Sequence, residues 1–113
     1  MQRILPNAGE RPLFDAVLLG LGTDGHTASL FPGSPTLDEH ERLVAADTRS
    51  KAEARITLTY PALESTRNAA FLVAGREKCA ILAEVRKQNC ALPAARLRPS
   101  GKLWLFADAA ALD

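Results

Sequence analysis

Apolar and polar positions along this chain follow two rhythms. Phe14 to Leu19 closes on the apolar run Val17-Leu18-Leu19, which predicts a strand buried on both faces. Arg55-Ile-Thr-Leu-Thr59 alternates at period two and is rich in β-branched residues, so it predicts another strand. Ala69 to Ala74 predicts a buried strand and Lys102 to Ala107 the last one, with Leu103, Trp104, Leu105 and Phe106 as strand core. Leu43-Val-Ala-Ala46 reads as a short strand or an extended loop. Helical spacing appears between the later strands. Gly75 breaks the strand before it, and Ile81, Leu82 and Val85 form the stripe of a helix that follows to about Gln88. Pro61 suits the first position of a helix that begins at Tyr60.

Breakers divide these elements. Met1 to Pro12, with Pro6, Asn7, Gly9 and Pro12, reads as a connecting segment. After the glycines at 20, 22 and 25, His26 to Phe31 has room for a short helical turn, which Pro32-Gly-Ser-Pro35 ends. Ala91 to Gly101 reads as loop, and Asp108 is placed to cap a short C-terminal helix. Strands alternating with helices predict an α/β fold, a mostly parallel, Rossmann-like sheet with flanking helices. Four or so strands with few helices look like part of a doubly wound domain. One face or edge is then left open, to be covered by self-association or a partner chain.

At 113 residues the chain is one domain at most. Its formal charge of +1 supplies no field for nucleic acid or an acidic membrane. It has no apolar run of membrane-spanning length, and Met1-Gln-Arg-Ile-Leu-Pro6 lacks the apolar core of a secretory signal. Cys79 and Cys90 form no metal-binding spacing and read as reduced thiols in or near a core. Together these features favour the cytoplasm.

The candidate chemistry lies in Gly20-Leu-Gly-Thr-Asp-Gly-His26. The glycines free the backbone for positive φ and close approach to a ligand. They place Asp24 and His26 at the carboxyl end of the first strand, where open α/β sheets bind ligands. The pattern G-x-G-x-x-G is formally met, but Pro32 and Pro35 stop the long helix that a dinucleotide needs. The glycines fit another use, holding His26 and backbone N–H groups around a small anion. An imidazole there suits a general base, although a structural loop histidine has the same spacing. Asp24 is either its partner or a turn residue of the common Asp-Gly kind. Thr27 and Ser29 are hydroxyl donors beside it, and Ser29 lacks a nucleophile elbow. His40, in a polar run, reads as a surface residue. Arg76 and Lys78 fall in the first turn of a helix, where cations oppose the dipole unless an anion sits in front of them. Two histidines fourteen residues apart, without a cysteine cluster, do not make a closed zinc set.

The segment Leu19-Gly-Leu-Gly-Thr-Asp-Gly-His-Thr-Ala-Ser-Leu-Phe-Pro32 resembles the signature of the 6-phosphogluconolactonase family, within the group that includes glucosamine-6-phosphate deaminase. The resemblance continues through Arg55-Ile-Thr-Leu-Thr59, Phe71 to Lys78, Leu92-Pro-Ala-Ala95 and Leu103 to Asp108. It covers the C-terminal half of such a protein. The family's Gly-Gly-Ser/Thr phosphate loop and Asp-Glu-Arg segment have no counterpart among these residues.

The resemblance implies hydrolysis of 6-phosphoglucono-1,5-lactone without a cofactor. It makes His26 and Asp24 catalytic and places Gly22, Gly25, Thr27, Arg55 and Lys78 around the substrate, Lys78 at its phosphate. Thr27-Ala-Ser-Leu-Phe31 stands where the deaminase carries a glutamate, which favours the lactonase. The alternative is a catalytically incomplete fragment that binds sugar phosphate weakly or serves only in assembly.

Overall fold

Two parallel crossovers organise the chain. The computed structural model describes residues 12–48, 54–88 and 91–112. Strands β1 (Phe14–Leu19), β4 (Thr66–Val73) and β5 (Lys102–Ala107) form a parallel sheet in the order β1-β4-β5. Strands β2 (Val44–Asp47) and β3 (Arg55–Leu58) pair antiparallel in a separate two-stranded ribbon. Helices α1 (Tyr60–Glu64), α2 (Cys79–Arg86), α3 (Pro93–Arg96) and α4 (Ala109–Leu112) complete the order. The architecture is α/β with a parallel sheet and flanking helices, as the alternation of elements predicts. Among the described residues its sheet has three strands and not four, because Leu43 to Ala46 and Arg55 to Thr59 fall in the ribbon.

The core lies on one face of the sheet. Leu19, Ala69, Phe71 and Val73 point to the same side and pack with Leu63, Leu82, Ala94 and Leu97. Right-handed crossovers explain this. Two successive ones running in the same direction place their connecting elements on the same face. The expectation of a first strand buried on both faces is therefore corrected. Leu18 is 69 % exposed, while Leu19 is buried. Leu103, Trp104, Leu105 and Phe106, expected as strand core, are all exposed, because β5 is an edge strand of this sheet.

Local chemistry sets the remaining differences. His26 to Phe31 is not helical. Thr27 and Leu30 close a turn by an isolated bridge, and Ala28 takes a left-handed φ of 51° that no helix accommodates. A 3-10 turn follows at Pro35–Asp38, where the Ser34 hydroxyl accepts the Thr36 N–H at 3.2 Å. β4 starts at Thr66, before the apolar run, since Thr66 and Asn68 pair with Phe14 and Ala16. Pro93 opens α3 within the expected loop, and Tyr60 Oη donates to its carbonyl at 2.6 Å. Burial pushes the Tyr60 phenol up to about 12. The Asp108 cap is present, accepting the Ala111 N–H at 2.9 Å. Cys79 is a free thiol. Cys90 and the segment up to Arg11 lie outside the described residues. No helix among the described residues is long and apolar enough to cross a membrane.

The one-sided core predicts a contrast in stability. Leu63, 1 % exposed in α1, loses about 2–5 kcal/mol on substitution by alanine. Leu18→Ala, on the bare side, stays within about 0.5 kcal/mol in the isolated chain. Urea midpoints at constant m-value check both, and equal costs would contradict a one-sided core.

Candidate functional site

The loop after β1 is built around His26. Its backbone carbonyl accepts the Gly22 N–H at 2.9 Å, and the Gly22 carbonyl accepts the Gly25 N–H at 2.9 Å. This tight fold brings the imidazole onto Gly22. A β-carbon at Gly22 would overlap the ring of His26 and lie 2.9 Å from Asp24 Oδ1. Gly25 is required for another reason, since its φ is +90° and a β-carbon would meet Leu92 Cδ2 at 2.7 Å. Gly20 and Gly22 do not take the positive φ expected of them, and a β-carbon at Gly20 would meet nothing within 4 Å.

Asp24 and His26 form a pair. Asp24 Oδ1 lies 2.5 Å from His26 Nδ1 and accepts the His26 backbone N–H at 3.0 Å. An ionised carboxylate only accepts hydrogen bonds, so the pairing assigns a ring hydrogen to Nδ1, and in the neutral ring Nε2 is then the acceptor. The side chains are 32 % and 51 % exposed for His26 and Asp24, so solvent reaches both. Burial pushes the Asp24 carboxyl up. The backbone N–H and the ring of His26 together outweigh that and hold it below its ordinary value.

Three anchors fix the loop. Thr27 Oγ1 donates to the Gly20 carbonyl at 2.9 Å, and Thr27 is 1 % exposed. Its hydroxyl is thus committed inside the loop and not presented at its surface. The Ala94 N–H of α3 donates to the Gly25 carbonyl at 3.0 Å. Lys78, in the 3-10 turn Arg76–Lys78 ahead of α2, donates from Nζ to the Leu21 carbonyl at 2.5 Å. Of the two cations expected at this helix start, the structure brings Lys78 to the loop and leaves Arg76 exposed.

The ribbon supplies Arg55. Thr57 Oγ1 accepts the Ser29 N–H at 3.1 Å, which ties β3 to the loop. Arg55 lies two residues away, on the same face of the strand. Its guanidinium sits 5.7 Å from the centroid of the Phe31 ring, and that ring is 4.7 Å from the His26 ring, tilted by 41°. Phe31 is thus an aromatic spacer between Arg55 and His26, a role that sequence reasoning missed. Its place within the contiguous motif is the only signal it carries, because a lone phenylalanine after a loop histidine reads as core. His40 is exposed, as expected. Among the described residues, no group of His, Cys, Asp and Glu converges in a way that could hold a metal ion. A cavity of about 250 Å³ lies apart from His26, lined by Leu82, Val85, Leu97, Leu103 and Leu105.

The family profile described as glucosamine-6-phosphate isomerases/6-phosphogluconolactonase matches residues 1–105. A 6-phosphogluconolactonase of Rattus norvegicus is 44 % identical over 104 residues, covering 88 % of this chain and 40 % of that protein. The crystal structure of devB protein superposes with a TM-score of 0.84 at 31 % identity, covering 98 % of this chain and 48 % of its own. That of 6-phosphogluconolactonase from Thermotoga maritima gives 0.73 at 32 % identity, covering 94 % and 48 %. The chain spans about two fifths of the length of the curated relatives it matches, as the 40 % for the rat protein illustrates.

Two outcomes test the loop. Gly22→Ala displaces the imidazole and abolishes the downfield Nδ1 proton signal of His26 in NMR, whereas Gly20→Ala leaves it in place. Equal behaviour of the two variants would contradict the packing described. For Asp24, a carboxyl pKa lowered by folding adds stability that is full well above its ordinary value of 3.8. That stability is lost as pH falls through the lowered value. The difference in unfolding free energy between the chain and Asp24→Asn therefore closes on acidification. Denaturant titrations between neutral and strongly acidic pH check the sign.

Proposed function

The chain belongs to the glucosamine-6-phosphate isomerases/6-phosphogluconolactonase family, and from that premise we propose that it carries the catalytic half of an enzyme that hydrolyses 6-phosphoglucono-1,5-lactone to 6-phosphogluconate. The observation that carries this reading is the Asp24–His26 pair at the carboxyl end of β1, 2.5 Å from carboxylate oxygen to ring nitrogen. With Nδ1 held by Asp24, Nε2 accepts a proton from water as the water oxygen bonds to the lactone carbonyl carbon. The tetrahedral intermediate then collapses, the bond from that carbon to the ring oxygen breaks, and His26 returns the proton to the ring oxygen. Asp24 fixes the ring and stabilises its protonated form.

The remaining residues bind and position. Gly22 and Gly25 donate their own N–H groups to the His26 and Gly22 carbonyls and so shape the loop, whose remaining backbone N–H groups face the developing oxyanion. Lys78 and Arg55 hold the phosphate, so that binding remote from the carbonyl orients it. Thr27 acts through the loop, by its bond to the Gly20 carbonyl. No step calls for a cofactor, since hydrolysis needs only water, a base and an oxyanion site.

The test is lactone hydrolysis coupled to 6-phosphogluconate dehydrogenase and corrected for spontaneous opening. It is run on the chain alone and on the chain fused to the remainder of a relative. His26→Ala lowers the enzymatic rate by about 10²–10⁴-fold, the usual worth of a positioned base. A folded fusion with no rate above background, or one indifferent to His26→Ala, overturns the reading. A rate only in the fusion identifies the chain alone as catalytically incomplete.

A further inference from the structure

The ribbon of β2 and β3 is patterned the wrong way round for a hydrophobic core. Val44 and Ile56 are 40 % and 75 % exposed, whereas Thr57 is buried and Asp47 is only 6 % exposed. Asp47 stands directly across from Arg55, and Ala45 from Thr57, so Asp47, Arg55 and Thr57 share one face of the ribbon. Thr57 ties that face to the His26 loop through the Ser29 N–H. A slip of one residue in either strand would turn its members of this set to the other face. In strands of four residues whose Val44 and Ile56 already point outward, apolar burial does little to oppose such a slip. The register therefore rests on polar contacts.

Asp47 supplies the second of these contacts. Its Oδ2 accepts the Ser34 hydroxyl at 2.9 Å. Ser34 Oγ accepts the Thr36 N–H at 3.2 Å and lies 2.8 Å from Thr36 Oγ1. A serine hydroxyl has one hydrogen, and an ionised carboxylate only accepts. The hydrogen of Ser34 thus goes to Asp47, and Thr36 Oγ1 donates to Ser34. Ser34 and Thr36 are both buried, so this chain of donors is shut off from solvent and ends on the carboxylate. Ser34 also donates its N–H to the Phe31 carbonyl at 3.0 Å. One carboxylate therefore grips the turn that carries Phe31 and stands beside the strand position that carries Arg55. Those two residues line up on the imidazole, the Arg55 guanidinium 5.7 Å from the Phe31 centroid and the Phe31 ring 4.7 Å from that of His26.

We propose that Asp47 is a positioning residue of the His26 site, which through Ser34 and the ribbon register sets Phe31 and Arg55 in line with the imidazole. A buried charge is costly unless it is hydrogen-bonded, and fixing a register is the best-attested use of one. His26 keeps its own anchors in Asp24 and the Gly22 N–H. Loss of Asp47 therefore displaces Phe31 and Arg55 and spares the Asp24–His26 pair. The placement of Phe31 stands apart from any reaction, whereas the effect on binding through Arg55 rests on the lactonase reading.

Two variants break the contact from opposite ends. Asp47→Ala deletes the carboxylate, and Ser34→Ala deletes the hydroxyl that it holds. Asp47→Asn keeps an acceptor oxygen for Ser34 and is the conservative rescue. In NMR spectra of the chain, the carbon-bound ring protons of His26 feel the ring current of Phe31. Both alanine variants shift those signals and leave the Nδ1 proton of the Asp24 pair in place, and Asp47→Asn restores the original positions. Lactone hydrolysis is measured on whichever of the chain and the fusion turns over. Both alanine variants raise KM about tenfold, as loss of one charge-assisted contact does, and change kcat by less than about threefold. Asp47→Ala combined with Arg55→Ala raises KM no further than Arg55→Ala alone, and Asp47→Asn keeps the parent KM.

His26 ring signals that stay unmoved in the folded alanine variants overturn the proposal and leave Asp47 a role in stability alone. So does an unchanged KM, a fall in kcat alone, or a fully additive loss with Arg55→Ala. Where Asp47→Ala does not fold, Ser34→Ala carries the same readouts. If no form turns over, the lactonase reading is lost, and the NMR comparison still decides whether Asp47 places Phe31.

Discussion

The handedness of the strand crossovers is the constraint on which the rest of the structure depends. Because β1, β4 and β5 succeed one another in one direction, the helices and the core gather on one face, around Leu19, Phe71 and Val73. The same constraint leaves Leu18 and Trp104 outward although their residue types are those of a core. It also leaves β1 at an edge of the described sheet. The loop at the carboxyl end of β1 sits at that boundary, which is where an α/β sheet opens a crevice.

Within the loop, order comes from bonds that different elements contribute. Thr27 closes it onto the Gly20 carbonyl from within, α3 reaches Gly25 through the Ala94 N–H, and Lys78 reaches the Leu21 carbonyl from the turn before α2. Ala28 holds a left-handed φ of 51° among these anchors, a conformation that costs an alanine about 1 kcal/mol. The anchors hold that strain in place, and with it the close approach of His26 to Gly22.

Much of this was legible in the sequence, for reasons that differ by element. β1 and β5 have the expected ends, because Pro12 and Gly20, and Gly101 and Asp108, bracket short apolar runs. The Asp108 cap and the Pro61 helix start were readable as local chemistry. The ribbon of β2 and β3 was visible as strands but not as a separate sheet, since pairing partners leave no mark on a single strand. Burial of Leu18 and Phe106 was misread because the sequence reports hydrophobicity, whereas exposure depends on what else is present. At the site, Asp24 and His26 stood out by type and spacing. The three glycines were read alike: closeness to His26 explains Gly22, and of the three only Gly25 takes the positive φ. Phe31 between His26 and Arg55 was invisible, since it depends on the ribbon folding back through the Thr57–Ser29 bond.

The bond from Lys78 Nζ to the Leu21 carbonyl has a thermodynamic meaning for any anion that meets this side chain. A mobile lysine gives up about 1.5–2 kcal/mol of rotamer entropy when it is fixed. Here much of that loss has occurred at the folding stage, before a ligand arrives. An ammonium group carries three N–H donors, and the carbonyl occupies one of them. This bond leaves the other two uncommitted, so an anion that meets them has less disorder to overcome than at a lysine reaching freely into solvent.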